Sequence, residues 1–157
     1  MTRNTPVAAD IMTTRVITLT PDQDLFEAIG LLTQHQISGA PVVDRAGRYL
    51  GVFTERTSIQ LLLNAVMHHT PTNTIEKWVD SEALTVSPDT DLLTIAQMLK
   101  ESSYRRLPVL KNNKVVGLIS RRDVLRAAHK LMELDQPERE TTFLYLSLIR
   151  ERSAAPV

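Results

Sequence analysis

The feature that most constrains this chain is an internal repeat, seen when the sequence is laid over itself at an offset of 67 residues. Thr18-Leu-Thr-Pro-Asp-Gln-Asp-Leu25 falls on Thr85-Val-Ser-Pro-Asp-Thr-Asp-Leu92, Leu32 on Leu99, and Pro41-Val42 on Pro108-Val109. After one deleted residue, Gly51-Val-Phe-Thr-Glu-Arg56 falls on Gly117-Leu-Ile-Ser-Arg-Arg122. Residues 8–44 hold 8 identities in 37 aligned pairs, against roughly two expected from average composition. The chain is therefore two copies of one unit, and whatever one copy folds into, the other must fold into as well.

Each copy reads as strand, helix, strand, strand, helix, an α/β (α+β) pattern. In copy one, Val16–Leu19 is the first strand. Thr20-Pro21-Asp22 opens a helix, with Pro in the first turn and Thr or Asp as cap. Leu25, Ala28, Ile29 and Leu32 then share one helical face, as do Leu92, Ile95, Ala96 and Leu99 in copy two. Ala40–Asp44, a turn at Arg45-Ala-Gly47 and Tyr49–Thr54 make a hairpin. Its twin is Leu107–Leu110, Lys111-Asn-Asn-Lys114 and Val115–Ser120, where the two Asn residues suit a tight turn with positive φ. Second helices follow at Thr57–His69 and Arg121–Glu133. The predicted organisation is repeat 1 over 8–69, a linker over 70–74, repeat 2 over 75–133 and a tail over 134–157. About 60 residues make a thin independent core, so the copies are expected to fold as one unit.

Composition removes several functions. With no cysteine there is no disulfide, thiol nucleophile or Cys-bound metal. Lys+Arg 18 balance Asp+Glu 18, which gives no global attraction to nucleic acid or to a membrane surface, and there is no basic segment or helix-turn-helix pattern. The apolar stretches Ile59–Met67 and Phe143–Ile149 fall far short of the roughly 20 residues of a membrane span. The start Met1–Pro6 has no apolar signal core, so the expected location is cytoplasmic. No nucleophile elbow, phosphate loop or dinucleotide fingerprint occurs among five glycines. His35, His68, His69 and His129 do not have ligand spacing, so neither catalysis nor a metal site is expected. Ile59-Gln-Leu-Leu-Leu63 with Val66 and Met67 is wider than one core face needs, which points to a dimer contact or to deeper burial within the monomer. Phe143–Ile149 must pack on the body or enter a subunit interface.

Taken together, the paired Ser/Thr-Pro-Asp segments, Ile37-Ser-Gly-Ala-Pro-Val-Val-Asp44 with Tyr104-Arg-Arg-Leu-Pro-Val109, the ends Gly51–Thr57 and Gly117–Asp123, and the lead-in Ala9-Asp-Ile-Met-Thr13 resemble a tandem pair of cystathionine β-synthase (CBS) domains, a Bateman module. The resemblance covers about residues 8–133. It implies two repeats packed sheet to sheet about a pseudo-twofold axis, frequent pairing of modules into homodimers, and clefts that bind AMP, ADP, ATP, S-adenosylmethionine or related ligands. No chemistry is implied; occupancy biases an unidentified partner protein.

An adenine nucleotide needs an apolar slot for the base, an acceptor for the ribose and cations or amides for phosphate. In copy two, Ser120-Arg-Arg-Asp123 runs into a helix N-terminus, where free N–H groups favour an anion. The resemblance gives Asp123 to the ribose and Ser120 to phosphate. Arg105 and Arg106 before Leu107-Pro108, with Arg121 and Arg122, bring four guanidinium groups to one mouth, suited to bidentate phosphate contacts. Val16-Ile17-Thr18 would line the base slot by resemblance, with Ser38 nearby; Mg²⁺ could accompany ATP. Copy one has Thr57 where the acid would sit and no arginines at Ile37-Ser-Gly39, so its site is expected to be weak or empty, with Thr54 and Arg56 keeping a partial phosphate contact. A second reading stands beside this one. Ser120-x-x-Asp123 also fits a helix cap with no ligand, though the copy-one helix lacks the acid; and the arginines could be a solvated face or pair with residues such as Glu101. The whole chain could likewise be an interaction scaffold with vestigial clefts.

Overall fold

The computed structural model describes residues 5–68 and 74–134. A short helix α1 (Ala8–Ile11) precedes helix α2 (Leu25–Gln34), the strands β1 (Gly39–Val43) and β2 (Tyr49–Thr54), and helix α3 (Glu55–His68). A 3₁₀ turn at Glu76–Trp78 opens the series again with α4 (Leu92–Glu101), β3 (Arg106–Lys111), β4 (Lys114–Ser120) and α5 (Arg121–Leu134). Each copy contributes one antiparallel hairpin, so the fold is a mixed helix and strand structure with two small sheets. His69, most of the 70–74 linker and the apolar segment Phe143–Ile149 lie outside the described residues.

Two local expectations are corrected. Val16–Leu19 is not a strand. Only Leu19 joins the sheet, alongside Val42: its N–H donates to Pro41 O at 2.9 Å and its carbonyl accepts from Val43 N at 2.9 Å. Val86 does the same beside Val109. A parallel ladder would next use the N–H two residues on, and that residue is Pro21 or Pro88, which has none. The helices also begin later than Pro21. Asp24 caps α2, its Oδ1 accepting from Phe26 N at 2.8 Å and Glu27 N at 3.3 Å, and Asp91 caps α4 through Leu93 N and Thr94 N at 3.0 Å. A carboxylate that can accept two first-turn amides sets the start, leaving Pro21 and Pro88 in the turn before it. The hairpin turns follow the sequence reading: Asn112 and Asn113 have φ of 51° and 58°, and Gly47 has φ of 77°.

The copies exchange their lead-in segments. Copy one's core (Leu19, Leu25, Ala28, Leu32, Val42, Phe53, Leu61) is completed by Ile75 from copy two. Copy two's core (Val86, Ile95, Leu99, Leu107, Val109, Ile119) is completed by Ala8 from copy one, with Ile11 and Met12 packed beside it. Burying one such isoleucine contributes about 1.5–3 kcal/mol, so each copy holds a stabilising part of the other. Backbone pairing seals the exchange: Thr13 bonds to Leu118 of β4, and Asp80 to Val52 of β2. Trp78, the mate of Ile11, is 39% exposed. Among the described residues no helix is long and apolar enough to cross a membrane.

Candidate functional site

Phe53 and Ile119 point into the two cores, so by strand alternation their neighbours Val52, Thr54, Leu118 and Ser120 start toward the opposite face. Where those faces meet between the copies lies a cavity of about 590 Å³. Its floor is apolar, made by Pro41 and Val52 of copy one with Pro108 and Leu118 of copy two. Both prolines are fully buried, at the start of their hairpins. The N-terminus of α3 lines it with Thr54, Glu55, Arg56 and Thr57, and so do Asp80, Tyr104, Arg105 and Arg106 of copy two.

The α3 end is built by hydroxyls. Thr57 N donates to Thr54 Oγ1 at 3.2 Å, the two hydroxyls lie 3.0 Å apart, and the buried Ser58 hydroxyl donates to Thr54 O at 3.0 Å. Glu55 N donates to Ser38 O at 3.0 Å, which brings Ser38 to the cavity wall. Among the described residues no carboxylate forms an ion pair with Arg56, Arg105 or Arg106.

The lining also holds a polar cluster that no motif announced. Asp80 is fixed by its two backbone bonds to Val52. Its Oδ1 accepts from Glu82 N at 3.1 Å and its Oδ2 from the Tyr104 hydroxyl at 2.5 Å. That hydrogen bond, with burial and the carboxylate's charge, pushes the Tyr104 phenol up to about 12. The Tyr49 hydroxyl is buried without a partner among the described residues. Burial first, then the charge on Asp80, pushes its phenol up to about 12 as well. Asp80 carries no signal in the sequence because it is the repeat mate of Thr13, an ordinary loop residue; Tyr104 opens the Tyr-Arg-Arg-Leu-Pro-Val segment, in which the arginines carry the chemical signal.

Of the residues expected at a nucleotide site, Ser38, Arg105, Arg106 and Pro108 are brought together here, with Thr54 and Arg56. Val16, Ile17, Thr18, Leu107, Ser120, Arg121, Arg122 and Asp123 do not line this cavity. Leu107 is wholly buried in copy two's core. Ser120 and Asp123 turn to each other: Ser120 N and Oγ donate to Asp123 Oδ2 at 2.8 and 2.6 Å, and Asp123 N donates to Ser120 Oγ at 3.3 Å. This is a reciprocal capping box. The missing acid in copy one does not argue against capping, because Thr54 caps α3 without it. Arg121 reaches back to the carbonyls of Leu99, Ser102 and Tyr104 at 3.0, 3.4 and 3.4 Å, satisfying the end of α4 and the loop after it. Arg122 is exposed. This cavity sits on the helix terminus of copy one, the copy whose site the sequence reading expects to be the weaker.

Residues 7–57 and 75–130 each match the family model of the CBS domain. The chain belongs to the CBS domain family. As a CBS pair it is similar to the CBS domain-containing protein YhcV of Bacillus subtilis, 29% identical over 116 residues that cover 73% of this chain and 80% of YhcV. It is also 29% identical over 123 residues to the protein MJ1225 of Methanocaldococcus jannaschii, covering 78% of this chain; the match spans 42% of that relative's length. Among solved structures, CBSX2 of Arabidopsis thaliana in complex with AMP superposes with a TM-score of 0.72 at 27% identity, over 80% of this chain and 98% of that one.

Proposed function

We propose that this CBS pair is a regulatory, non-catalytic module that binds an adenine nucleotide in the cavity between its copies and signals occupancy to a partner protein. The observation that carries the reading is the cavity itself: an apolar slot lined by two prolines, with a hydroxyl-rich helix N-terminus and the guanidinium groups of Arg56, Arg105 and Arg106 in the same lining. Its volume is in the range of small-molecule sites, and AMP is what the similar CBSX2 holds. Thr54, Thr57, Arg56, Arg105 and Arg106 take the phosphates, Mg²⁺ joining where the ligand is ATP, and Pro41, Val52, Pro108 and Leu118 hold the base. Ser120 and Asp123 mark the pseudo-symmetric position, where the acid is engaged as a cap. Because walls come from both copies, occupancy favours one relative setting of them, and that population shift is the signal.

The module works as a homodimer in the cytoplasm. Ile59, Leu62, Leu63 and Val66 form an i, i+3, i+4, i+7 stripe on α3 that is 45–77% exposed, and no charged residue lies between Thr57 and Met67. A second copy of a chain with no net charge can cover that face without repulsion. The same stripe favours the alternative reading, a protein-interaction scaffold whose clefts stay empty. A thermal-shift screen with AMP, ADP, ATP and S-adenosylmethionine separates the two. At about 100 times its dissociation constant a ligand adds roughly 2.7 kcal/mol, which moves the midpoint by several degrees at this size. No shift for any of them at millimolar concentration leaves the scaffold.

A further inference from the structure

Resting on the nucleotide reading of the cavity, we infer that it selects its ligand by charge, holding adenine nucleotides through two or more phosphates and discriminating against adenosine and S-adenosylmethionine. Three guanidinium groups line the cavity, Arg56 from copy one and Arg105 and Arg106 from copy two. They stand on walls contributed by different copies, so one phosphate cannot use them all as well as a chain of phosphates bridging the walls can. Each guanidinium offers up to five donors in a fixed fork, well beyond the needs of one phosphoryl group with its three terminal oxygens.

Two carboxylates share the lining, Glu55 and Asp80. Asp80 is engaged on both oxygens, by Glu82 N and the Tyr104 hydroxyl, and among the described residues it forms no ion pair with the arginines. At position 57 the lining residue is a neutral threonine, which adds no negative charge beside a bound phosphate. The balance is three fixed positive charges against two negative ones. It attracts an anion and repels a ligand bearing a sulfonium and an ammonium group with one carboxylate.

The test is titration calorimetry on the full chain with adenosine, AMP, ADP, ATP and S-adenosylmethionine, without Mg²⁺, at two salt concentrations. ADP and ATP should bind about tenfold or more tightly than AMP, and adenosine and S-adenosylmethionine more weakly than AMP; the ADP affinity should fall as salt rises. Arg105→Ala and Arg106→Ala, checked for unchanged melting, should each lower ADP affinity about tenfold while leaving adenosine binding within about twofold. AMP binding as tightly as ADP, or adenosine or S-adenosylmethionine matching either, overturns the charge selection while the nucleotide reading survives. Failure of every compound to bind overturns the nucleotide reading itself.

Discussion

Val52 and Asp80 exchange both backbone hydrogen bonds across the boundary between the copies, Val52 N to Asp80 O at 3.0 Å and Asp80 N to Val52 O at 2.9 Å. Thr13 and Leu118 repeat the arrangement at 2.9 Å in each direction. Each pair lies next to a glycine, Gly51 or Gly117, and that neighbour is what lets the exchanged segment lie flat on the hairpin. The same Val52–Asp80 pair lines the cavity, so the strap that joins the copies is also part of the wall a ligand would touch.

The two glycines are not equally replaceable. A Cβ on Gly51 would lie 2.4 Å from the Asp80 carbonyl oxygen, and its φ of 146° is strained for any other residue. A Cβ on Gly117 would lie 2.3 Å from the Met12 sulfur, the mobile end of a flexible side chain. Gly51→Ala is therefore expected to cost roughly 3 kcal/mol or more, from overpacking and backbone strain together, and Gly117→Ala roughly 1–2 kcal/mol. Urea denaturation of both variants checks this, and equal losses would be inconsistent with the strap geometry.

Because Ile75 completes copy one's core and Ala8 copy two's, neither copy should unfold alone. Trp78, the single tryptophan, belongs in sequence to copy two but stands between Ile75 and Val79, both of which pack on copy one's core. Its fluorescence and the far-ultraviolet circular dichroism of the whole chain should give coincident denaturation curves. Ile75→Ala should lower the stability seen by both probes by about 2–5 kcal/mol. Curves that separate, with fluorescence lost first, would mean that the copies are independent.

The duplication made most of this architecture legible, because two copies of one pattern must satisfy the same packing and Leu25, Ala28 and Leu32 recur as Leu92, Ile95 and Leu99. The hairpin turns were legible too, since Asn112-Asn113 and Gly47 answer a local demand for positive φ. The exchange of lead-ins was not, because nothing local in Ala8–Thr13 or Ile75–Asp80 says which copy they serve. The apolar pattern at Val16–Leu19 overstates the strand, because the proline two residues beyond Leu19 removes the next ladder donor. At the site, four arginines looked equivalent in sequence, yet Arg121 is drawn to the open carbonyls after α4 while Arg105 and Arg106 line the cavity. That division depends on which carbonyls the fold leaves unsatisfied.

Alkaline pH should loosen the fold through Tyr49, whose hydroxyl is buried, and Tyr104, whose hydroxyl is held by Asp80. Tyr49 and Tyr104 are raised from the usual 10.0 to about 12, so the folded state keeps its phenol protons where the unfolded chain sheds them. Their contribution is complete below pH 10 and is lost as pH climbs from 10 toward 12. Tyr49→Phe should flatten that decline. At neutral pH it should be neutral or stabilise by up to about 1 kcal/mol, because it removes a buried hydroxyl with no partner. Tyr104→Phe should instead destabilise by about 1 kcal/mol by taking a donor from Asp80. Urea midpoints measured from pH 7 to 11 check both, and an unchanged alkaline slope in Tyr49→Phe would refute its buried placement.

Asp123 separates a cap from a ligand contact. Its carboxylate accepts from Ser120 N and Oγ at the start of α5, and its ion pair with Arg126 at 3.3 Å is too exposed on the arginine side to add much. Asp123→Ala should therefore lower stability by about 1 kcal/mol and leave nucleotide affinity within about twofold. Arg105→Ala should do the reverse, keeping the urea midpoint and losing affinity about tenfold, since its exposed guanidinium lines the cavity without an ion pair among the described residues. Measured side by side, the two variants assign the site to one copy's helix terminus or the other's. If folded Asp123→Ala loses binding while Arg105→Ala keeps it, the nucleotide sits at the start of α5, and the open cavity on α3 is its empty twin.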